Sequence, residues 1–259
     1  MRMMKKVLGT VTVLALSVSL LAGCGSTAVS PVSSTASTAA ESTTSSVVSE
    51  TTSAAADENE AAAAQLLNDL TGSYQELWPV ILADEYKQTW LDDCTALVGE
   101  DNAEAAFEKL SSMVTGDVYG EDAVKAYANG GGAYFCGFTN SLATLTFDGE
   151  TSTISGTDKD GNVLFSHTYH YIVMEPVHEL YEFESDDADS GEFTYFFLAP
   201  DISAETYHIE FRYGSDAEAL SQYDAGEYAY WVASGISTDC DQTMIDNCIE
   251  LFCTENLAG

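Results

Sequence analysis

Four histidines, His167, His170, His178 and His208, are the residues of this chain best suited to chemistry. Neutral imidazole is the commonest metal-binding side chain, and it titrates near neutral pH. On an extended strand, side chains alternate between faces. His167 and His170 therefore point to opposite sides and do not chelate one ion together unless a bulge intervenes. His208 stands in a different setting: Thr206, His208, Glu210 and Arg212 fall on one face, with Tyr207, Ile209, Phe211 and Tyr213 on the other. An imidazole and a carboxylate two residues apart are two donors of a metal site, and His170, His167 or His178 on a neighbouring strand is the candidate third. Carboxylate ligation favours harder cations. In a small barrel such a polar row points either into a polar cavity or toward solvent, and strand geometry alone favours solvent.

Other chemistries have less behind them. No nucleophile elbow, no His-Glu-x-x-His helix and no paired-carboxylate motif occurs, so the chain is expected not to be an enzyme. Beyond Cys24 there are five cysteines, Cys94, Cys136, Cys240, Cys248 and Cys253, with no CxxC pair. Two bridges and one free thiol are compatible with that count, and spacing does not assign the pairing. Cys248 keeps step with Met244 and Phe252, which makes it a small buried apolar residue. The acidic run Glu182, Glu184, Asp186, Asp187 and Asp189 is expected to be a solvated loop. Asp158-Lys159-Asp160-Gly161-Asn162 lacks the register of a calcium loop and is expected to be a hairpin turn.

The elements that position these residues follow from hydrophobic period. Trp90, Leu91, Cys94 and Leu97 repeat at three and four, as do Ala105, Ala106, Phe107, Leu110 and Met113, so the first half of the domain is helical. Gly130-Gly131-Gly132 ends that pattern as a flexible connection. Antiparallel strands are predicted at 142–147, 151–155, 163–173, 178–183, 193–198 and 206–213, with Asp148-Gly149 supplying one turn. Ser215-Asp216-Ala217-Glu218 reads as a capping box opening a short helix, and 238–254 as a final amphipathic helix. The class is α+β, mainly β: an antiparallel barrel or curled sheet with a helical N-terminal segment and a C-terminal helix.

Residues 1–23 carry Arg2, Lys5 and Lys6, then an apolar run too short to span a bilayer, ending at Leu21-Ala22-Gly23-Cys24. This is the anatomy of a lipoprotein signal peptide. Cys24 is the expected lipidation site and first mature residue, a membrane anchor at the outer face of a bacterial cytoplasmic membrane. Residues 24–60 are Ser-, Thr- and Ala-rich and are expected to form a disordered tether, holding the domain on the order of 30 Å from the anchor. Residues 61–259 have ordinary globular composition and suffice for a single domain. The chain has eight Lys and Arg against 42 Asp and Glu, a formal charge of −34. Such an acidic chain repels polyanions, which excludes nucleic acid as a partner.

Asp69-Leu70-Thr71-Gly72-Ser73-Tyr74-Gln75-Glu76-Leu77-Trp78-Pro79 resembles the opening of the ZinT (YodA) family, in which a Gly-x-Tyr/Trp-x-x-x-x-Pro stretch begins the domain. Leu198-Ala199-Pro200, Tyr207-His208-Ile209, Gly214-Ser215-Asp216 and Tyr228-Ala229-Tyr230-Trp231 follow that family's order, so the resemblance spans about residues 66 to 256. It implies a calycin, lipocalin-like barrel outside the cytoplasm that binds zinc through three histidines. His208 matches the last of them, Thr206 stands at the second, and Phe196 or a near neighbour at the first. The resemblance thus implies a lipoprotein that captures a divalent metal, zinc or another cation, and hands it to an uptake transporter, with a degenerate site. The alternative is a calycin module that has lost the metal and binds a small molecule, with Tyr169, Tyr171, Tyr181, Tyr195 and Tyr207 as lining candidates.

Overall fold

Alternation of apolar and polar residues along the second half of the chain builds one closed surface. The computed structural model describes residues 47–127, 133–200 and 208–258, with side chains from residue 58 onward. Eight strands run in chain order around a closed antiparallel barrel: β1 (Gly72–Glu76), β2 (Thr144–Asp148), β3 (Thr153–Thr157), β4 (Val163–Met174), β5 (Tyr181–Ser185), β6 (Tyr195–Leu198), β7 (His208–Gly214) and β8 (Ala233–Ser237). Every neighbour pair is antiparallel, and β1 closes on β8 with Tyr74 opposite Ser237 and Glu76 opposite Gly235.

The inward set is aromatic. Tyr74, Phe147, Phe165, Tyr169, Phe183, Phe196, Phe211 and Tyr213 are all buried in one cluster, together with Leu145, Ile154 and Trp231. Their rings pack edge-on and stacked: Tyr169 on Phe196 at 5.4 Å and 89°, Phe193 on Phe165 at 3.9 Å and 13°. Such offset and edge-to-face contacts add to the burial of area that drives closure. α1 (Val47–Asp69) covers one end, setting Ala63, Leu66, Leu67 and Leu70 into the same cluster. The β2–β3 turn seats against the last turn of this helix. A Cβ at Gly149 would lie 2.4 Å from the Cα of Asn68, which is why the turn needs glycine there. Asp148 accepts from the backbone N–H of Glu150 at 3.1 Å, and Asp158 accepts from those of Asp160 and Asn162 at 2.9 Å, so both turns form as expected.

A second core lies outside the barrel. α2 (Leu77–Ile81), α3 (Lys87–Val98), α4 (Glu100–Val114) and α7 (Gln242–Leu257) gather Leu77, Trp78, Ile81, Trp90, Cys94, Leu110, Ile245, Cys248, Ile249 and Cys253 around Ile236 of β8. Trp90 is fully buried and donates its indole N–H to the carbonyl of Ile81 at 2.7 Å, which fixes α3 to the end of α2. α5 (Glu121–Tyr127) and α6 (Ala217–Leu220) are short. Cys248 is 3 % exposed and its thiol is pushed up to about 12 by burial, as a packed apolar residue should be.

Several expectations are corrected. The helix preceding the barrel begins at Val47, so the last part of the expected 24–60 tether is helical; the alanines at 54–56 and 61–64 favour that state. β1 and β8 were not predicted, because Gly72-Ser73-Tyr74-Gln75-Glu76 and Ala233-Ser234-Gly235-Ile236-Ser237 lack the β-branched and aromatic runs that mark strands. Leu97 and Met113, members of the helical repeat, are exposed at the far ends of their helices. The cap of α6 is Asp216, accepting from the N–H of Ala219 at 3.0 Å, and not Ser215, whose hydroxyl instead lies 3.3 Å from Glu192 Oε1. α7 is capped by Asp241 and starts at Gln242, four residues later than predicted. Gly130 to Gly132, the signal segment and Cys24 lie outside the described residues.

α3 carries an electrostatic penalty that can be measured. Asp93 Oδ2 is buried and has no hydrogen-bond partner among the described residues. Burial first, and then Glu250, Asp246 and Asp92, raise its carboxyl pKa above the ordinary 3.8. A raised carboxyl pKa means that the folded state holds the proton more tightly than the unfolded chain. The penalty is therefore complete above the folded pKa and disappears as pH falls through it toward 3.8. Asp93→Asn is expected to raise Tm at pH 7 by about 1–3 °C and to leave Tm nearly unchanged at pH 4, measured by thermal denaturation at both values.

Candidate functional site

The predicted ligands are distributed over three parts of the barrel. β4 places His167 opposite Ile154 on the inward side and His170 opposite Glu184 on the outward side, the separation that strand alternation requires. Each imidazole meets its own carboxylate. His167 Nδ1 is 2.8 Å from Asp187 Oδ2, and His170 Nδ1 is 2.7 Å from Asp186 Oδ1. The acidic run is the solvated loop expected of it only in part: Asp186, Asp187 and Asp189 are exposed beyond the strand. Glu182 and Glu184 belong to β5, and the two aspartates just beyond it clasp both sides of β4. The pairing reaches that far because the N–H of Asp186 donates to the carbonyl of Thr168 at 2.8 Å. Consecutive residues on an extended chain then point to opposite faces, as the two histidines do.

His178 sits in the β4–β5 connection. Glu175, 5 % exposed, accepts from the N–H groups of Val177 at 3.0 Å and His178 at 2.7 Å, and its Oε2 lies 3.3 Å from His178 Nδ1. The imidazole rests on Tyr223, ring centroids 3.8 Å apart. Arg212 lies against the same tyrosine, its guanidinium carbon 4.2 Å from the ring centroid. Arg212 is the fully buried cation of β7. Its Nη1 donates to the carbonyl of Leu220, Nη1 and Nη2 to that of Gln222 at 3.2 Å, and Nη2 to that of Tyr228. Burial lowers its pKa and raises that of the Tyr223 hydroxyl. Five planar donors on one group are what allow a single side chain to bind three carbonyls of one loop.

β7 thus carries the polar row predicted for it, but solvent does not cover all of that row. Ile209, Phe211 and Tyr213 point inward, while His208 and Glu210 are half-buried on the outside, opposite Ile236 and Ser234 of β8. Arg212, two residues on, disappears beneath the segment following α6, which strand alternation had no means of placing. Glu210 is near the second core: it contributes to raising the thiol pKa of both Cys136 and Cys248. Thr206 and Tyr207 lie outside the described residues. Phe196, at the position the resemblance implies for the first histidine, is fully buried among rings.

Among the described residues, no three His, Cys, Asp or Glu side chains converge to hold a metal ion. Zinc takes three or four protein donors at about 2.0–2.3 Å, so His208 and Glu210 alone do not make a closed site. His167, His170 and His178, the candidate third donors, are each engaged by a carboxylate elsewhere. Of the tyrosines predicted to line a ligand cavity, Tyr169 and Tyr181 pack in the ring cluster of the interior. Tyr169 donates its hydroxyl to the carbonyl of Phe193, and Tyr195 bonds Glu184 on the outer side at 3.2 Å. A hollow of about 340 Å³ occurs outside the barrel, lined by Glu76, Trp78, Leu82, Phe135 and Cys136 among others. Sequence reading missed Glu175, Tyr223, Asp186 and Asp187 as partners of the histidines. Only the acidity of the run containing the two aspartates could have signalled any of them.

A closed eight-stranded antiparallel barrel with an external helical layer defines a calycin-like, α+β protein. No family model and no curated protein matches this sequence. Among solved structures, the chain is similar to the Zn(II)-bound ZinT-like domain of Streptococcus pneumoniae AdcA, at 14% identity over 70% of this chain and 87% of that one, with a TM-score of 0.43. It is also similar to Zn(II)-bound AdcA from the same organism, at 13% identity over 71% of this chain but 34% of the longer one, with a TM-score of 0.41. Identities this low transfer neither a ligand nor a site residue.

Arg212→Lys tests the clamp on β7. A lysine ammonium is a point charge and cannot span three carbonyls, leaving two of them buried without a donor. The substitution is expected to lower unfolding free energy by about 2–4 kcal/mol in urea titration, with an unchanged far-ultraviolet spectrum.

Proposed function

We propose that this chain is a catalytically inactive, extracytoplasmic lipoprotein that handles a divalent metal ion, zinc foremost, and passes it to an uptake system. The observation that carries the metal part is the pairing of His208 and Glu210 on the outer, half-buried face of β7, at the position where the family resemblance puts its last histidine. Their Cα atoms stand about 7 Å apart along the strand, close enough for imidazole and carboxylate to lean onto one ion. Two donors bind more weakly than the closed sets of structural zinc sites, which reach roughly 10–16 kcal/mol. Weak, exchangeable binding suits handover better than storage. The charge of −34 adds a general attraction for cations, screened beyond about 8 Å at physiological salt. Attachment is assigned to a lipid on Cys24 because the short apolar run after Lys5 and Lys6 ends at Leu21-Ala22-Gly23-Cys24.

Isothermal titration of the metal-free protein with zinc is expected to give one site weaker than ~1 μM. Glu210→Gln should weaken it about tenfold, and His208→Ala should abolish it. Equal binding by wild type and His208→Ala would remove this centre, and absence of binding by the wild type would remove the metal function.

The anchor is tested separately. Expressed in a bacterial host, the wild-type chain should partition with membranes and carry the mass of a diacylglyceryl group on Cys24. The Cys24→Ala variant should lose that mass and be found in the soluble fraction; an unmodified wild-type cysteine would refute the lipoprotein assignment.

A further inference from the structure

The second core holds a feature that metal handling does not use. Cys94 of α3 and Cys253 of α7 lie 159 residues apart in sequence, yet their sulfurs are 3.9 Å apart and both residues are fully buried. Among the described residues, this is the thiol pair in mutual contact; Cys136, Cys240 and Cys248 are separate thiols. Trp90 and Phe252, one helical turn before Cys94 and one residue before Cys253, stack edge-on at 6.0 Å and hold the two helices in register. A disulfide needs a sulfur separation of about 2.05 Å, so each sulfur has to move by roughly 1 Å, within reach of rotation about the two Cα–Cβ bonds.

We propose that Cys94 and Cys253 form a disulfide that ties the first helical layer to the C-terminal helix. The bond encloses seven of the eight strands, since β2 to β8 all lie between the two cysteines. It rests on the proposed location outside the cytoplasm only for the supply of an oxidant, which is a disulfide-bearing compound or protein. The thiolate of one cysteine attacks that disulfide, forming a mixed disulfide and releasing one thiol. The second cysteine then attacks the protein-bound sulfur and releases the other thiol. Two S–H bonds are lost, one protein S–S bond forms, and the oxidant leaves as two thiols carrying both protons and both electrons. Exchange occurs before α7 docks. Once docked, the thiols are closed to reagents, and burial raises the pKa of both, suppressing the reactive thiolate.

The test needs neither a membrane nor a cell, so its outcome is independent of where the protein resides. Full-length chain, unfolded and reduced, is refolded with glutathione and glutathione disulfide, quenched by alkylation and peptide-mapped without reduction. A crosslinked peptide joining Cys94 to Cys253 is expected, with Cys136, Cys240 and Cys248 alkylated once the chain is denatured. Reduction should lower Tm by roughly 5–15 °C. Cys240→Ala should keep both the link and the Tm shift, and Cys94→Ala should lose both. Full alkylation of Cys94 and Cys253 in the refolded protein, or a dominant link from either to another cysteine, would overturn the assignment.

Discussion

Closure of the barrel by β8 is the constraint on which the rest of the structure depends. This strand pairs with β7 on one side and β1 on the other, and it separates two cores: Ala233 belongs to the aromatic interior, whereas Ile236 belongs to the helical layer. A strand covered on both faces needs small residues where neighbours crowd it. Gly235 shows this directly, since a Cβ there would come within 3.1 Å of Ile209 Cγ1. An open sheet would expose two rows of unpaired backbone groups and let water into the ring cluster; closure removes both problems together.

Burying charge in so acidic a protein demands a particular solution. Among the described residues, Arg212 forms no ion pair with a carboxylate; its Nη1 and Nη2 donors are spent on three carbonyls and its face on Tyr223. The arrangement pins the segment after α6 across the outer face of β7, and Tyr228 then lies over Gly214, where a Cβ would be 2.5 Å from its hydroxyl. Covering β7 in this way leaves His208 and Glu210 as the half-exposed part of its polar row. The loop clamp and the candidate metal donors are consequently consecutive positions on one strand face, with opposite fates.

Among the described residues, histidine and carboxylate meet as His167 with Asp187, His170 with Asp186 and His178 with Glu175. Each pair is built by local strand pairing or a tight connection, so none converges with another. A metal centre requires the opposite, several donors from different strands aimed at one point. The aromatic filling of the interior works in the same direction. Phe196, fully buried among rings, keeps that part of the interior apolar.

The sequence by itself determined the α+β class with its antiparallel barrel, the longer strands, the two turns built on Asp148 and Asp158, the opposite facing of His167 and His170, and the split of β7 into a polar and an apolar face. All of these follow from short-range periodicity and turn chemistry, which act within a few residues. The expected predominance of strand did not hold, because α1, α3, α4 and α7 are longer than most strands. Only the tertiary structure decided that β1 and β8 are strands, because their small and polar residues acquire that state from neighbours on both sides and not from their own preference. It likewise decided the burial of Arg212, the partners of the three histidines and the meeting of Cys94 with Cys253. The meeting of Cys94 with Cys253 joins residues 159 positions apart, and no local pattern along the chain encodes which distant group arrives.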